Sequence, residues 1–160
     1  MRGHFLSNCR SILKKACLSN LNKMIVHDSH FHMLHETDKL ILGYVFEDAY
    51  LINKKNNKEI YLGAFYGDPA CGLISKNNDW CLVCGDTTTT WKKDGNIYNI
   101  NDKEIMWVTE ARQVSICEVE LLVDPWSEEG AIWKLNIDTS EKYKIKNFTI
   151  DGERTGKLNW

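Results

Sequence analysis

Three groups of residues in this 160-residue chain have the types and spacing that chemistry requires. The first is His27-Asp28-Ser29-His30-Phe31-His32, which contains Asp-x-His-x-His. On an extended strand, residues two apart share a face. His30 and His32 would then project together with Asp28 beside them, a donor set suited to a divalent metal. The second is Trp80-Cys81-Leu82-Val83-Cys84-Gly85, where Cys-x-x-Cys-Gly has the form of half a zinc ribbon. The third is a pair of acidic corners, Asp68-Pro69 and Asp124-Pro125-Trp126-Ser127-Glu128-Glu129. Paired carboxylates serve acid–base catalysis. A Trp among carboxylates on a loop is also what a protein-binding hot spot uses.

The surrounding sequence weighs against chemistry at the first two. The Asp-x-His-x-His string resembles the first-strand metal motif of amidohydrolases, which implies a barrel of alternating strands and helices with further His and Asp ligands downstream. No His follows His35 here, so beyond His4 in the N-terminal segment only His27, His35 and carboxylates remain to complete a site. The expectation is no metal, with His30 and His32 on an edge or solvent-facing strand. Leu82 and Val83 are strand formers. An extended Trp80–Cys84 would send Cys81 and Cys84 to opposite faces, so the expectation there is buried small hydrophobes. Neither a Gly-x-Ser-x-Gly elbow nor a glycine-rich phosphate loop occurs. The chain therefore reads as a protein without catalytic residues or cofactor, with Trp126, Glu128, Glu129, Asp124 and Asp68 as its binding residues. Two alternatives stay open: a metal-dependent hydrolase using Asp28, His30 and His32, and a sugar-binding β-sandwich whose Trp91, Trp107 and Trp126 stack on the ligand.

The elements that must position these groups are short strands. Turn chemistry at Gly67-Asp68-Pro69 and at Lys76-Asn77-Asn78-Asp79 divides residues 61–85 into three apolar runs. Alternation of period two marks Phe31 and Met33, Leu40 to Phe46, and Ala49 to Ile52. Further on it marks Glu59 to Leu62, Thr87 to Trp91, Ile97 to Ile100 and Ile105 to Val108. The clearest case places Cys117, Val119, Leu121 and Val123 on one face and Glu118 and Glu120 on the other. Trp133, Leu135 and Ile137, then Tyr143, Ile145 and Phe148, form a last hairpin that resembles a propeller blade. The expected fold is all-β, an antiparallel β-sandwich or barrel of about ten short strands. Asp68-Pro69…Gly72-Leu73-Ile74 and Asp124-Pro125…Gly130-Ala131-Ile132 also suggest an internal duplication.

Residues 1–23 differ from the rest. Apolar residues from Phe5 to Met24 recur three or four apart, the pattern of one basic amphipathic helix over 5–25. Such a helix suits a membrane surface, a targeting signal, or an extension upstream of a domain beginning at Met24, and the abrupt charge change favours the extension. It carries five of the twenty Lys and Arg and no acid, which leaves fifteen bases against all twenty-two Asp and Glu in residues 24–160, a net charge of −7. A single β-rich domain that acidic is ill-suited to nucleic-acid phosphates and well suited to a basic protein surface. No apolar run is long enough to span a membrane. Six Cys in a chain of this length, with no secretory signal, fit reduced thiols in the cytoplasm.

The strings Phe65-Tyr66-Gly67-Asp68-Pro69-Ala70-Cys71-Gly72-Leu73-Ile74 and Val123-Asp124-Pro125-Trp126-Ser127-Glu128-Glu129-Gly130-Ala131-Ile132-Trp133 resemble those of small uncharacterised bacterial proteins. Some of these sit beside polymorphic toxins in the position of immunity proteins. The likeness covers roughly residues 40 to 160. It implies a single-domain inhibitor that binds a toxin and does no chemistry, and it transfers no functional residue.

Overall fold

A continuous apolar strand flanked by alternating ones builds a stack in which the middle of one sheet has no solvent face. The structure is a computed structural model that describes residues 24–150 and 159–160. Twelve antiparallel strands fall into three four-stranded meanders. The first sheet contains β1 (Phe31–Glu36), β2 (Leu40–Val45), β3 (Asp48–Asn53) and β4 (Lys58–Ala64). The central sheet contains β5 (Cys71–Ile74), β6 (Trp80–Cys84), β7 (Thr88–Lys92) and β8 (Ile97–Ile100). The third contains β9 (Val108–Gln113), β10 (Glu118–Val123), β11 (Ala131–Asn136) and β12 (Lys142–Asn147). The fold is thus all-β, with two more strands than the sequence pattern suggested. The helix expected over residues 5–25 lies outside the described residues, apart from its last two positions.

All five residues of β6 are buried. Leu82 and Cys84 join Val119, Leu121, Ala131, Trp133 and Leu135 in a core against the third sheet. Cys81 and Val83 join Leu40, Leu42, Leu51 and Leu62 in a core against the first sheet. A strand covered on both faces carries apolar residues in succession, and a strand covered on one face alternates, as β10 does through Val119 and Leu121. Cys81 and Cys84 therefore point to opposite faces, as the strand geometry requires. Burial pushes the Cys81 thiol pKa far up. Cys71 sits opposite Cys84 in the β5–β6 register, and its hydrogen bond with that thiol, followed by burial, raises its pKa as well.

Left-handed turn residues close the hairpins: Asn57 between β3 and β4, Asn78 between β5 and β6, Gly95 between β7 and β8, and Ser140 between β11 and β12. Gly43 is required by close approach, since a Cβ there would stand 2.3 Å from the Phe31 ring and 2.5 Å from the His32 carbonyl oxygen.

Three expectations are corrected. Residues 105–108 do not form a strand. The Asp102 carboxylate accepts from the Glu104 N–H at 3.0 Å and starts a 3-10 helix at Lys103–Ile105, and β9 begins only at Val108, because a capping Asp offers the backbone an alternative to the ladder. Trp91 is not a ligand platform: it is 7% exposed and packs in the core between the first and central sheets. The duplication does not map onto the sheets either. Asp68-Pro69 leads into β5, the first strand of its meander, whereas Asp124-Pro125 leads into β11, the third strand of its own.

β5 lies against both β1 and β9. One polar tie across this seam is the Ile74 N–H donating to His35 Nδ1 at 3.2 Å. A bulge between Met33 and His35 shifts β1 so that His35 can reach it. Burial lowers the His35 pKa from its ordinary value of 6.5. The neutral ring is the accepting form, so the unfolded chain binds the proton more readily. The tie is fully present above about pH 6.5 and is lost as pH falls below that value through the lower folded one. Thermal melts at about pH 7.5 and about pH 5.5 should show the parent losing stability on acidification and His35→Gln losing less. An equal loss in both would place the acid sensitivity elsewhere.

Candidate functional site

The connections at one end of the three sheets are joined by a continuous run of hydrogen bonds. Phe65 N–H donates to the Glu47 carbonyl in the β2–β3 turn at 2.9 Å, and Tyr66 N–H donates to Asp86 Oδ1 in the β6–β7 turn at 3.0 Å. Val108 N–H reaches the Gly85 carbonyl at 3.0 Å, and Asp124 N–H reaches the Trp107 carbonyl at 3.0 Å. Phe148 N–H and Ile150 N–H then close onto the Gly130 and Pro125 carbonyls at 2.8 and 2.7 Å. Gly130 has no room for a side chain: a Cβ would lie 2.5 Å from the Phe148 carbonyl oxygen and 2.9 Å from that of Asp124. Both acidic corners belong to this end.

Two adjoining clefts open here and share Trp107 and Asp124. The first, of about 370 Å³, is lined by three carboxylates, Asp68, Asp86 and Asp124, and by three aromatic rings, Tyr66, Trp107 and Trp126. No Lys, Arg, Asn or Gln side chain lines it among the described residues. Tyr66 is 80% exposed and Trp107 48% exposed. Their rings meet edge to face, with centroids 6.5 Å apart and planes at 85°. The charge of Asp68 extends past the cleft: after burial, it is the second cause of the raised pKa of Tyr44. The second cleft, of about 480 Å³, carries Glu128 and Glu129, but Lys103 and Lys144 face them. Lys144 also lies 5.6 Å from the centre of the Trp133 ring.

The structure thus brings Asp68, Asp124 and Trp126 together, with Glu128 and Glu129 one cleft away. Trp126 is half-buried, neither a core residue nor an open platform. Sequence reasoning missed Tyr66 and Asp86 and placed Trp107 on a strand. A usable signal was present in Gly85-Asp86, a turn dipeptide directly after the buried β6, which fixes Asp86 at the strand end that Asp68 must also occupy.

Backbone strain accumulates at the shared wall. Trp107 has φ of 57° and Asp124 has φ of 33°. For a residue as bulky as Trp the left-handed region is a true outlier, and such outliers gather at binding and catalytic sites.

The other motifs are arranged differently. His30 Nδ1 lies 3.2 Å from Asp28 Oδ1, but the His30 ring stacks on Phe46 at 4.8 Å and the His32 ring on Tyr44 at 5.1 Å. His35 faces the central sheet. Among the described residues, no three or more His, Cys, Asp or Glu side chains are grouped to hold a metal. Trp160 is anchored: Arg112 stacks over its ring at 4.3 Å, and its indole N–H donates to Glu110 Oε2 at 2.6 Å. No helix among the described residues is long and apolar enough to cross a membrane. No known protein family and no curated protein matches this chain.

If Trp107 is held in a strained conformation for its exposed ring, removing the ring should leave the fold intact. A left-handed L-residue costs roughly 1–2 kcal/mol, and Gly relieves that cost while losing chain entropy. Trp107→Gly should therefore melt within about 1 kcal/mol of the parent, whereas Trp80→Ala, in the core, should lose about 3–5 kcal/mol. Comparable losses in the two variants would make Trp107 a packing residue.

Proposed function

We propose that this domain is a non-enzymatic protein-binding module that docks a basic partner, of the immunity type that neutralises a toxin. The observation that carries the reading is the convergence of four separate connections on a cleft lined by carboxylates and exposed aromatic rings. An exposed aromatic surface rimmed by charge marks an interaction site rather than a packing accident. The net charge of −7 over residues 24–160 supports a cationic partner. The stack of three sheets, read as a layered β-sandwich, supplies a rigid frame with the recognition loops at one end, where binding residues gather in such folds. A cytoplasmic setting agrees with the free Cys71, Cys81, Cys84 and Cys117 thiols.

A carbohydrate is the second reading, favoured by Trp107 and Trp126 lining one cleft. The absence, among the described residues, of amide and basic side chains from that lining favours a cation over a neutral sugar.

Binding kinetics against a set of cationic and anionic proteins, including any toxin encoded beside this gene, test the proposal. Association should occur with a cationic member and slow steeply as salt rises from about 20 to about 150 mM, because exposed charges become screened beyond about 8 Å. Glu128→Gln with Glu129→Gln should lower chiefly the on-rate. Trp126→Ala should raise chiefly the off-rate, by roughly 2 kcal/mol. Salt-independent association, or equal preference for anionic proteins, would overturn the reading.

A further inference from the structure

We propose that the 370 Å³ cleft is a receptor for a single guanidinium group, so that the partner inserts an arginine side chain against the Tyr66–Trp107 ring pair. This rests on the protein-binding reading above and names the chemistry at its centre. Three features of the cleft converge on this ligand. Its charge is uncompensated among the described residues, since Asp68, Asp86 and Asp124 line it with no basic side chain from them. Its aromatic walls are exposed and set at right angles, so a planar cation can lie in the corner they form, stacked on the negative face of one ring. Its volume lies near the lower limit for small-molecule sites, which suits one long side chain rather than a helix or a strand.

Guanidinium is favoured over ammonium for physical reasons. It is planar, it sheds water more readily, and its five donors form a fork that can serve more than one carboxylate while its face remains on a ring. An ammonium offers three donors around a point charge and keeps its hydration shell. The protein uses the same chemistry elsewhere in its own structure. Arg112 lies 4.3 Å over the Trp160 ring while its guanidinium donates to Glu120 Oε2 at 2.6 and 2.8 Å. That arrangement is aromatic stacking plus a carboxylate fork, and the cleft holds both halves of it without the arginine.

The second cleft explains why the insertion point is the first. Lys103 and Lys144 stand beside Glu128 and Glu129, so an incoming arginine there would meet like charge as well as opposite charge. The clefts share Trp107 and Asp124, so a basic segment seated in the first would continue over the second with its neighbouring residues.

The test titrates the full chain with Nα-acetyl-arginine methylamide and follows backbone amide and Trp indole signals by two-dimensional NMR. The citrulline analogue, of the same shape but neutral, and the lysine analogue serve as controls. The arginine probe should shift the Tyr66, Asp86, Thr109 and Trp107 signals saturably and bind about fivefold or more tightly than either control. Asp124→Asn and Trp107→Gly should each weaken it by a similar factor while the remaining spectrum keeps its dispersion. Equal binding of citrulline would overturn the claim for charge, and equal binding of the lysine probe would overturn the claim for guanidinium. Shifts confined to other surfaces, or perturbation of the cleft only by oligosaccharides, would overturn the site. Should the arginine probe fail while a cationic protein still binds with a steep salt dependence, the insertion model alone falls. Should the probe bind while no cationic protein does, it is the protein-partner reading that falls.

Discussion

The two middle strands of the central sheet have no face left for water, and most of the remaining structure follows from that. With Trp80 to Cys84 buried without interruption, β6 can exist only if another sheet closes over each side. Removing either neighbour would expose a row of apolar side chains, each worth about 1.5–3 kcal/mol of burial. The first and third sheets supply the cover with Leu40, Leu42 and Leu51 on one side and Val119, Leu121 and Leu135 on the other. Both outer sheets can then be ordinary half-buried meanders. Their far edges show it: β12 leaves Tyr143 and Ile145 exposed along a Lys-rich strand, the usual guard against edge-to-edge pairing.

Stacking three meanders has a consequence for the loops. Strands of similar length packed side by side bring their connections to common levels, and the connections must then satisfy one another's backbone groups. At one end they do so through Glu47, Asp86, Gly85, Trp107 and Asp124. These bonds, with the Asp86 carboxylate as the one side-chain member, fix the backbone from which the side chains of the cleft project. The left-handed backbone at Trp107 and Asp124 is the local cost of joining the third sheet to the central one at that level.

Electrostatics divides this end unevenly. Near the third sheet, Lys142 bridges Asp102 at 3.1 Å and pairs with Glu104, and the contact with Glu104 is the first cause of its raised pKa. Lys103 and Lys144 line the second cleft together with Glu104, Asp124, Glu128 and Glu129. Nothing comparable faces Asp68, Asp86 and Asp124 within the first cleft. The Glu128-Glu129 string therefore shares its cleft with bases, while Asp68, Asp86 and Asp124 meet in a cleft whose described lining has none, because charge sums over neighbours in space rather than along the chain.

The sequence by itself determined the class of fold and most of its punctuation. Period-two alternation in β10, the turn residues Asn57, Asn78 and Gly95, and the Asp-Pro corners are local signals, set by the pleat and by backbone sterics. The opposite orientation of Cys81 and Cys84 followed from strand geometry alone, and so did the weakness of a shared metal site there. Tertiary structure decided the rest. Residues 105–108 read as a strand, but the Asp102 cap starts a 3-10 helix at Lys103–Ile105 and defers the strand to Val108. Trp91 stands between Thr90 and Lys92 and Trp107 between Met106 and Val108, so the local pattern would expose the first and bury the second. Instead the first is sealed between two sheets and the second stands in a cleft, because that difference depends on which sheet covers which face. The meeting of Tyr66, Asp86 and Asp124 was equally invisible. They lie up to 58 positions apart, and only the packing of three separate sheets, through contacts that no local pattern encodes, brings their loops to one level.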